Sequence, residues 1–293
     1  MADICGVEKD LYVPSPRRNV CTTVTMRYVG KGLRLEEIRA NVSTSDLSDS
    51  GRHRFSEDNG RTWSDWEILY REYPRQGNCV KSESPMDSVY DPVADKVIRP
   101  VFQRIFLGDP KQALGKLGVG EKHFFDHAFY QISGDNASTW GEPQPLKYEA
   151  GASFDPNDWG KPEFLYANEM YVQSVAVLSE GGIVIAGTVP VPFPDGEDEK
   201  TPVSFPSGFP RGCVGGVLCF IGHWNSEAED YEWITSESLV IPRRHSTRGL
   251  FEPAIGELTN GDLLLVMRAS NAGLDPEQYP GPVSYTHLTL PTN

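Results

Sequence analysis

Ser56-Glu-Asp-Asn-Gly-Arg-Thr-Trp63 and Ser133-Gly-Asp-Asn-Ala-Ser-Thr-Trp140 are two copies of one octet, S-x-D-x-G-x-T-W, with Ala137 in place of the central glycine in the second. The octet reads as a folded hairpin turn. An Asp side chain at the third position can accept backbone N–H groups within the turn, and a glycine at the fifth can take positive φ. Thr62 and Thr139 can start the next strand, and Trp63 and Trp140 can pack beneath it as an apolar plug. Each copy follows a strand-like run, and the two lie 77 residues apart. That spacing suits repeated β-sheet units with an insertion, for which the stretch 107–122 (LGDPKQALGKLGVGEK) is the candidate.

The sequence around the octets has the same character. Alternating, period-two runs predict strands at Cys21–Tyr28, Leu33–Ile38, His53–Ser56, Val97–Phe106, His127–Ser133, Met170–Leu178, Gly182–Thr188, Gly216–His223, Ile255–Leu258 and Leu263–Arg268. Many are divided by tight-turn signals such as Asp58-Asn-Gly60, Glu180-Gly-Gly182 and Asn260-Gly-Asp262. No long amphipathic helix is expected. The 28 glycines and 23 prolines of this 293-residue chain fit many short elements joined by turns. Two runs lack periodicity: 141–161, and the Pro- and acid-rich 190–211, read as a surface excursion or a substrate-side loop.

The formal net charge of −14 argues against a nucleic-acid partner, whose surface calls for a basic patch. It leaves room for an anionic small ligand, because a few converging arginines can hold a carboxylate in an acidic protein. No apolar run reaches membrane-spanning length, so no membrane partner is expected. No obligate protein partner is inferred. The start, MADICGVEKDLYV, has no basic flank leading into an apolar stretch. The five cysteines show no zinc-like spacing, and Cys213 and Cys219 read as strand residues of a core. Asn41-Val-Ser is a glycosylation sequon by pattern. No H-E-x-x-H, EF-hand, P-loop or pre-helical G-x-G-x-x-G occurs, so neither a metal site nor a nucleotide or other cofactor is expected.

The octet resembles the Asp box of sialidases and related BNR-repeat β-propellers. A second stretch, Arg248-Gly-Leu-Phe-Glu-Pro-Ala-Ile-Gly-Glu-Leu-Thr-Asn-Gly-Asp-Leu-Leu-Leu-Val-Met-Arg268, is similar to the sialidase segment EPxVxELxDGxLLxxxR. The resemblance implies an all-β fold: a sialidase-like β-propeller, six-bladed when complete, with about four blades present here and the fourth cut short. The Asp-box residues Ser56, Asp58, Gly60, Thr62, Trp63, Ser133, Asp135, Thr139 and Trp140 are then structural. The implied activity is retaining, exo-α-sialidase-like hydrolysis of terminal sialic acid. The alternatives are a propeller hydrolase acting on another sugar and a non-catalytic glycan-binding propeller.

On this resemblance Glu252 matches the glutamate that hydrogen-bonds a catalytic tyrosine, and Arg268 one of three arginines that clamp the substrate carboxylate. Arg18, with Arg17 beside it, is the candidate for the first arginine, although the usual Ile-Pro that follows it is missing. Asp46 and Asp49, in the loop before the first octet, are candidates for the acid/base aspartate, Asp46 at the more family-like distance. The third arginine and the tyrosine would lie beyond Arg268 and are not identifiable. Arg243, Arg244, His245 and Arg248 form a basic cluster that either faces the glycan or only leads into the blade, and Glu257 reads as turn support. These residue types suit the chemistry. Arginine offers a planar fork to a carboxylate, and a weakly acidic phenol needs a neighbouring carboxylate as its base.

The last residues, 283–293 (VSYTHLTLPTN), resemble the translation of a sequencing-library adaptor. Native sequence is therefore expected to end near Pro282, giving a partial propeller domain over 1–282 and a non-native tail over 283–293. A chain without the tyrosine is expected to be inactive by itself. Its parent is expected to be secreted or periplasmic, where sialylated or other glycans are met.

Overall fold

A computed structural model describes residues 12–44, 47–116, 122–193, 213–242 and 245–269, and a strand at 286–290. It divides into two compact units, one made of residues up to 27 with 33–72, the other of 28–32 with 73 onward.

The first unit is one antiparallel sheet in the order β1 (Cys21–Tyr28), β2 (Leu35–Val42), β3 (Ser50–Ser56) and β4 (Glu67–Tyr70). Consecutive strands are neighbours, so the chain simply runs up and down. The predicted strand at 33–38 begins later and runs further, to Val42, and the one at 53–56 begins earlier, at Ser50. The register explains the extension: Leu35 opposes Ser56 and Asn41 opposes Ser50, a full hairpin closed by the loop that carries Asp49.

The second unit begins with a six-stranded sheet ordered β10 (Gln144–Pro145), β9 (Phe124–Ser133), β8 (Lys96–Leu107), β6 (Cys79–Pro85) and β5 (Arg75–Gln76), with β7 (Val89–Asp91) also on β8. Next comes the sheet β11 (Tyr171–Val177), β12 (Ile183–Pro192), β13 (Cys213–Asn225) and β14 (Asp230–Thr235), again in chain order. Last is the sheet β15 (Leu250–Glu257), β16 (Leu263–Ala269) and β17 (Thr286–Leu290). The predicted insertion falls between β8 and β9 and contains the short helix α1 (Pro110–Lys116). A second short helix, α2 (Pro162–Leu165), lies in the loop-rich run after β10.

Burial shows why these strands read as they do. β12 is apolar at nearly every position because it has a neighbour on both faces. Ile183 and Ile185 face a core shared with Ile98, Ala128 and Tyr130 of the preceding sheet. Val184 and Ala186 face a second core with Leu250, Leu263, Leu265 and Met267 of the following one. Fully burying such a side chain is worth about 1.5–3 kcal/mol. Two tyrosines tie the first of these interfaces, Tyr130 donating to Asp230 at 2.8 Å and Tyr231 to Asp91 at 2.9 Å. The result is a mostly β, multi-sheet, propeller-like architecture of successive up-and-down sheets.

Both octets form the expected turn between the third and fourth main strands of a sheet. In the first, Asp58 accepts the Thr62 N–H and hydroxyl, each at 2.7 Å, and Ser56 Oγ accepts the Gly60 N–H at 2.8 Å. In the second, Asp135 accepts the Thr139 N–H at 2.8 Å and hydroxyl at 2.6 Å, and Ser133 Oγ accepts the Ala137 N–H at 2.9 Å. These donors hold both carboxyls down to about 2. A carboxylate depressed on folding adds stability above its unfolded pKa, and that contribution is lost as pH falls through about 2. The tryptophans depart from the expected plug. Trp63 and Trp140 are half-buried and stack under guanidinium groups, Arg54 at 4.5 Å and Arg99 at 3.9 Å from the ring centroids. A turn at a sheet's end has too little apolar surface below it to swallow an indole, and a cation over the π face covers the ring instead.

The Gly-to-Ala replacement leaves a mark. Gly60 has φ +82°, and Ala137 is held at φ +62° in the same role. An L-residue there is disfavoured by about 1–2 kcal/mol. Ala137→Gly is therefore expected to stabilise the protein by about 0.5–1 kcal/mol, the relief being partly offset by glycine's entropy. A higher urea midpoint is the expected reading, and a lower one would contradict this account of the turn.

Thr286–Leu290 pairs antiparallel with Leu263–Met267. Pairing of this kind uses backbone groups, and an open sheet edge accepts any extended, β-prone segment within reach.

Candidate functional site

Glu252 and Arg268 come together on the last sheet. Phe251 is the register partner of Arg268, and a bulge between Phe251 and Ala254 turns Glu252 out of the ladder. The Arg268 Nη1 group donates to both Glu252 oxygens, at 3.0 and 3.2 Å. Each side chain is about half exposed, 51% for Arg268 and 46% for Glu252. An ion pair this open to water is worth only about 0–1 kcal/mol. An incoming carboxylate can therefore displace Glu252 from Arg268 at little cost.

The backbone at Glu252 is strained. Its φ is +53°, a left-handed conformation that a non-glycine residue rarely keeps without support. The support is visible: the Glu252 N–H donates to Thr188 Oγ1 at 3.1 Å, and that hydroxyl donates to Gln173 Oε1 at 3.2 Å. Thr188 is fully buried on β12, so the bulge is pinned to the neighbouring sheet.

Arg248 lies next to this pair. Burial lowers its pKa, the positive charge of Arg268 lowers it further, and Glu252 opposes them. Its guanidinium stacks on Phe251 at 4.8 Å, and its Nε is a buried donor with no hydrogen-bond partner among the described residues. Arg248 is held by its backbone: its carbonyl accepts the Gly215 N–H at 2.9 Å, and the following Gly249 forms a parallel bridge with Gly215.

A second polar group lies on β8 and β9 of the second unit. Arg104 grips Asp126 through Nε and Nη2 at 2.6 and 2.7 Å, between register partners on β8 and β9. Arg104 also lies over the Tyr171 ring at 5.8 Å. Burial raises the Tyr171 hydroxyl; Arg104 opposes that shift, while Asp126 and Glu252 reinforce it. Beside them Lys122 pairs with Glu169, whose carboxyl burial pushes up to about 7. His127 is buried against Phe164 at 4.1 Å, and burial lowers it to about 4. Sequence patterning missed this group, although Arg104 and Asp126 each stand out as a charge inside an apolar run (PVFQRIFL and FFDHAFY).

No protein-family model and no curated protein matches the chain. Among solved structures it is similar to a protein of unknown function from Dyadobacter fermentans DSM 18053, at TM-score 0.53 and 14% identity, over 88% of this chain. The chain spans 64% of that protein's length. Looser likenesses are a Hadza microbial sialidase, Hz136 (TM-score 0.46, 13% identity, 85% of this chain and 42% of that one), and a PL25 ulvan lyase (TM-score 0.42, 14% identity, 92% and 55%). At 14% identity the likeness to the first of these is one of fold alone.

Arg18 is exposed in the turn between Arg17 and Val20, in the first unit. Asp49 is partly buried there, its N–H donating to the Asn41 carbonyl at 2.7 Å. Asp46, Arg243 and Arg244 lie outside the described residues. Glu257 does support a turn, its carboxylate accepting the Ser179 N–H at 2.6 Å and hydroxyl at 2.8 Å. Cys219 is a buried core thiol, as read from the sequence, and Cys213 is partly buried. Among the described residues no group of His, Cys, Asp or Glu is arranged to hold a metal, and no helix is long and apolar enough to cross a membrane.

Proposed function

We propose that the chain is part of a carbohydrate-active protein of propeller-like fold, and that it engages an acidic sugar by its carboxylate at Arg268 and Arg248. The observation that carries this reading is a charge imbalance. Two arginines within electrostatic reach of each other share one nearby carboxylate, Glu252, and one of them has a buried, unpartnered Nε. An unpaired buried donor of this kind is disfavoured until an acceptor arrives, and an arginine fork suits a carboxylate.

The sialidase-like form of the reading adds cleavage with retention, in which Glu252 would serve a tyrosine nucleophile and an aspartic acid would protonate the leaving group. The broader form, another acidic sugar or a binding role, needs only the two arginines and the Glu252 contact with Arg268. A glycan-directed protein would act outside the cytoplasm, secreted or periplasmic.

The two partners should respond with opposite signs in an NMR or calorimetric titration with N-acetylneuraminate or galacturonate. Arg268→Met is expected to weaken binding at least 10-fold, in line with about 1.5–3 kcal/mol for a hydrogen bond to a charged group. Glu252→Gln removes the internal competitor and is expected to hold or raise affinity. Equal losses in both variants, or none in Arg268→Met, would overturn the assignment.

A further inference from the structure

The first unit carries a cationic cleft that the reading above does not use. It lies on one face of the β1–β4 sheet, has a volume of about 510 Å³, and is lined by Thr22, Arg39, Asn41, Arg52, Tyr70 and Arg71 among others. None of the described residues lining it is acidic. That is unusual in a chain whose formal charge is −14.

The arginines are arranged and not merely clustered. Arg39, Arg52 and Arg54 all stack on the Trp66 ring, each 4.6 Å from its centroid. The fully buried Glu37 accepts from Arg39 and Arg54, both at 2.7 Å, and from the Tyr12 hydroxyl at 3.3 Å. One carboxylate therefore serves two of these cations. Arg52 and Arg71 are exposed, and neither forms an ion pair among the described residues. Thr22 donates to Asn41 at 3.1 Å, and Asn41 in turn to Ser50 at 3.2 Å, which fixes the amide in the wall. Stacking on an indole holds a guanidinium's plane while leaving its N–H edge for a ligand. A cleft of this size suits a small ligand or a short stretch of a chain.

We propose that this cleft is a binding site for an acidic polysaccharide, holding its carboxylate or sulfate groups on Arg52 and Arg71 beside Tyr70. It shares no residue with the Glu252–Arg268 pair and stands or falls independently of it. The protein's overall negative charge repels polyanions at a distance, so binding must come from local, paired contacts.

The test uses the full 293-residue chain and calorimetry with polygalacturonate, dextran sulfate, neutral dextran and single-stranded DNA. Binding to at least one of the two acidic polysaccharides is expected, and which one binds names the group as carboxylate or sulfate. Arg52→Ala/Arg71→Ala, both on exposed side chains, should weaken it at least 10-fold with an unchanged circular dichroism spectrum. Arg52→Lys/Arg71→Lys keeps the charge without the fork and should fall between. The same loss is expected when Arg52→Ala/Arg71→Ala is made in an Arg268→Met background, where no galacturonate unit can be held at Arg268. The proposal is overturned if neither acidic polysaccharide binds, if the double alanine variant binds as well as the wild type, or if dextran or DNA binds equally well.

Discussion

Gly249→Ala is expected to be among the most damaging single substitutions in the chain, lowering stability by about 3 kcal/mol or more through backbone strain and a clash in a packed interface. Gly249 sits at φ +81°, and a Cβ there would lie 2.1 Å from the Gly215 carbonyl oxygen and 2.7 Å from its nitrogen. Those atoms are backbone, held by the Gly215-to-Arg248 hydrogen bond, so they cannot swing aside as a side-chain tip would. Relief would require parting β13 from the start of β15 and opening the core that holds Leu250 and Val217. Gly249 also lies one residue from Arg248 and three from Glu252, so the variant should lose acidic-sugar binding as it loses stability. Gly256→Ala is the control: nothing lies within 4 Å of its Cβ position, and its effect should be small. Urea unfolding of the two variants checks the expectation, and a change below about 1 kcal/mol for Gly249→Ala would contradict the packing described for this junction.

Asp126→Ala is the second large effect. Arg104 and Asp126 have side chains only 13% and 8% exposed, and their bidentate contact lies among aromatic rings. Removing one partner of a buried pair strips the other of its bidentate contact and typically costs about 3–5 kcal/mol. Replacing both partners by apolar residues of similar volume costs far less. Arg104→Met/Asp126→Leu should therefore regain most of the loss seen in Asp126→Ala alone. If the double variant is as unstable as the sum of the two single ones, the pair is not acting as a unit.

The legible and illegible parts of this chain divide along a physical line. The octets could be read because everything they need lies within eight residues: Ser56 with Asp58 and Thr62, and Ser133 with Asp135 and Thr139. The strand runs could be read because sheets stacked on both faces force nearly continuous apolar sequence, as in β12. Glu252 and Arg268 were singled out by the resemblance of one segment, in separate roles; that they contact each other across one hairpin, 16 residues apart, was not part of that reading. Register across a long connection was not readable. Arg104 meets Asp126 only because β8 and β9 pair across the insertion that holds α1. Thr188 and Gly215 reach the site through contacts between sheets, which no local pattern encodes. The fate of the two tryptophans was also missed, since the arginines that cover them belong to strands, two residues from the octet for Arg54 and on another strand for Arg99.

The most direct measurement is a calorimetric titration of the chain with N-acetylneuraminate and galacturonate, each compared with its methyl ester. Esterification removes the carboxylate charge and leaves the sugar ring otherwise unchanged. Saturable binding of at least one acid, weakened at least 10-fold both in its ester and by Arg268→Met, is the result predicted for a carboxylate held by Arg268 and Arg248. Ester and acid binding with equal affinity, or no binding of either acid by the folded chain, would contradict it.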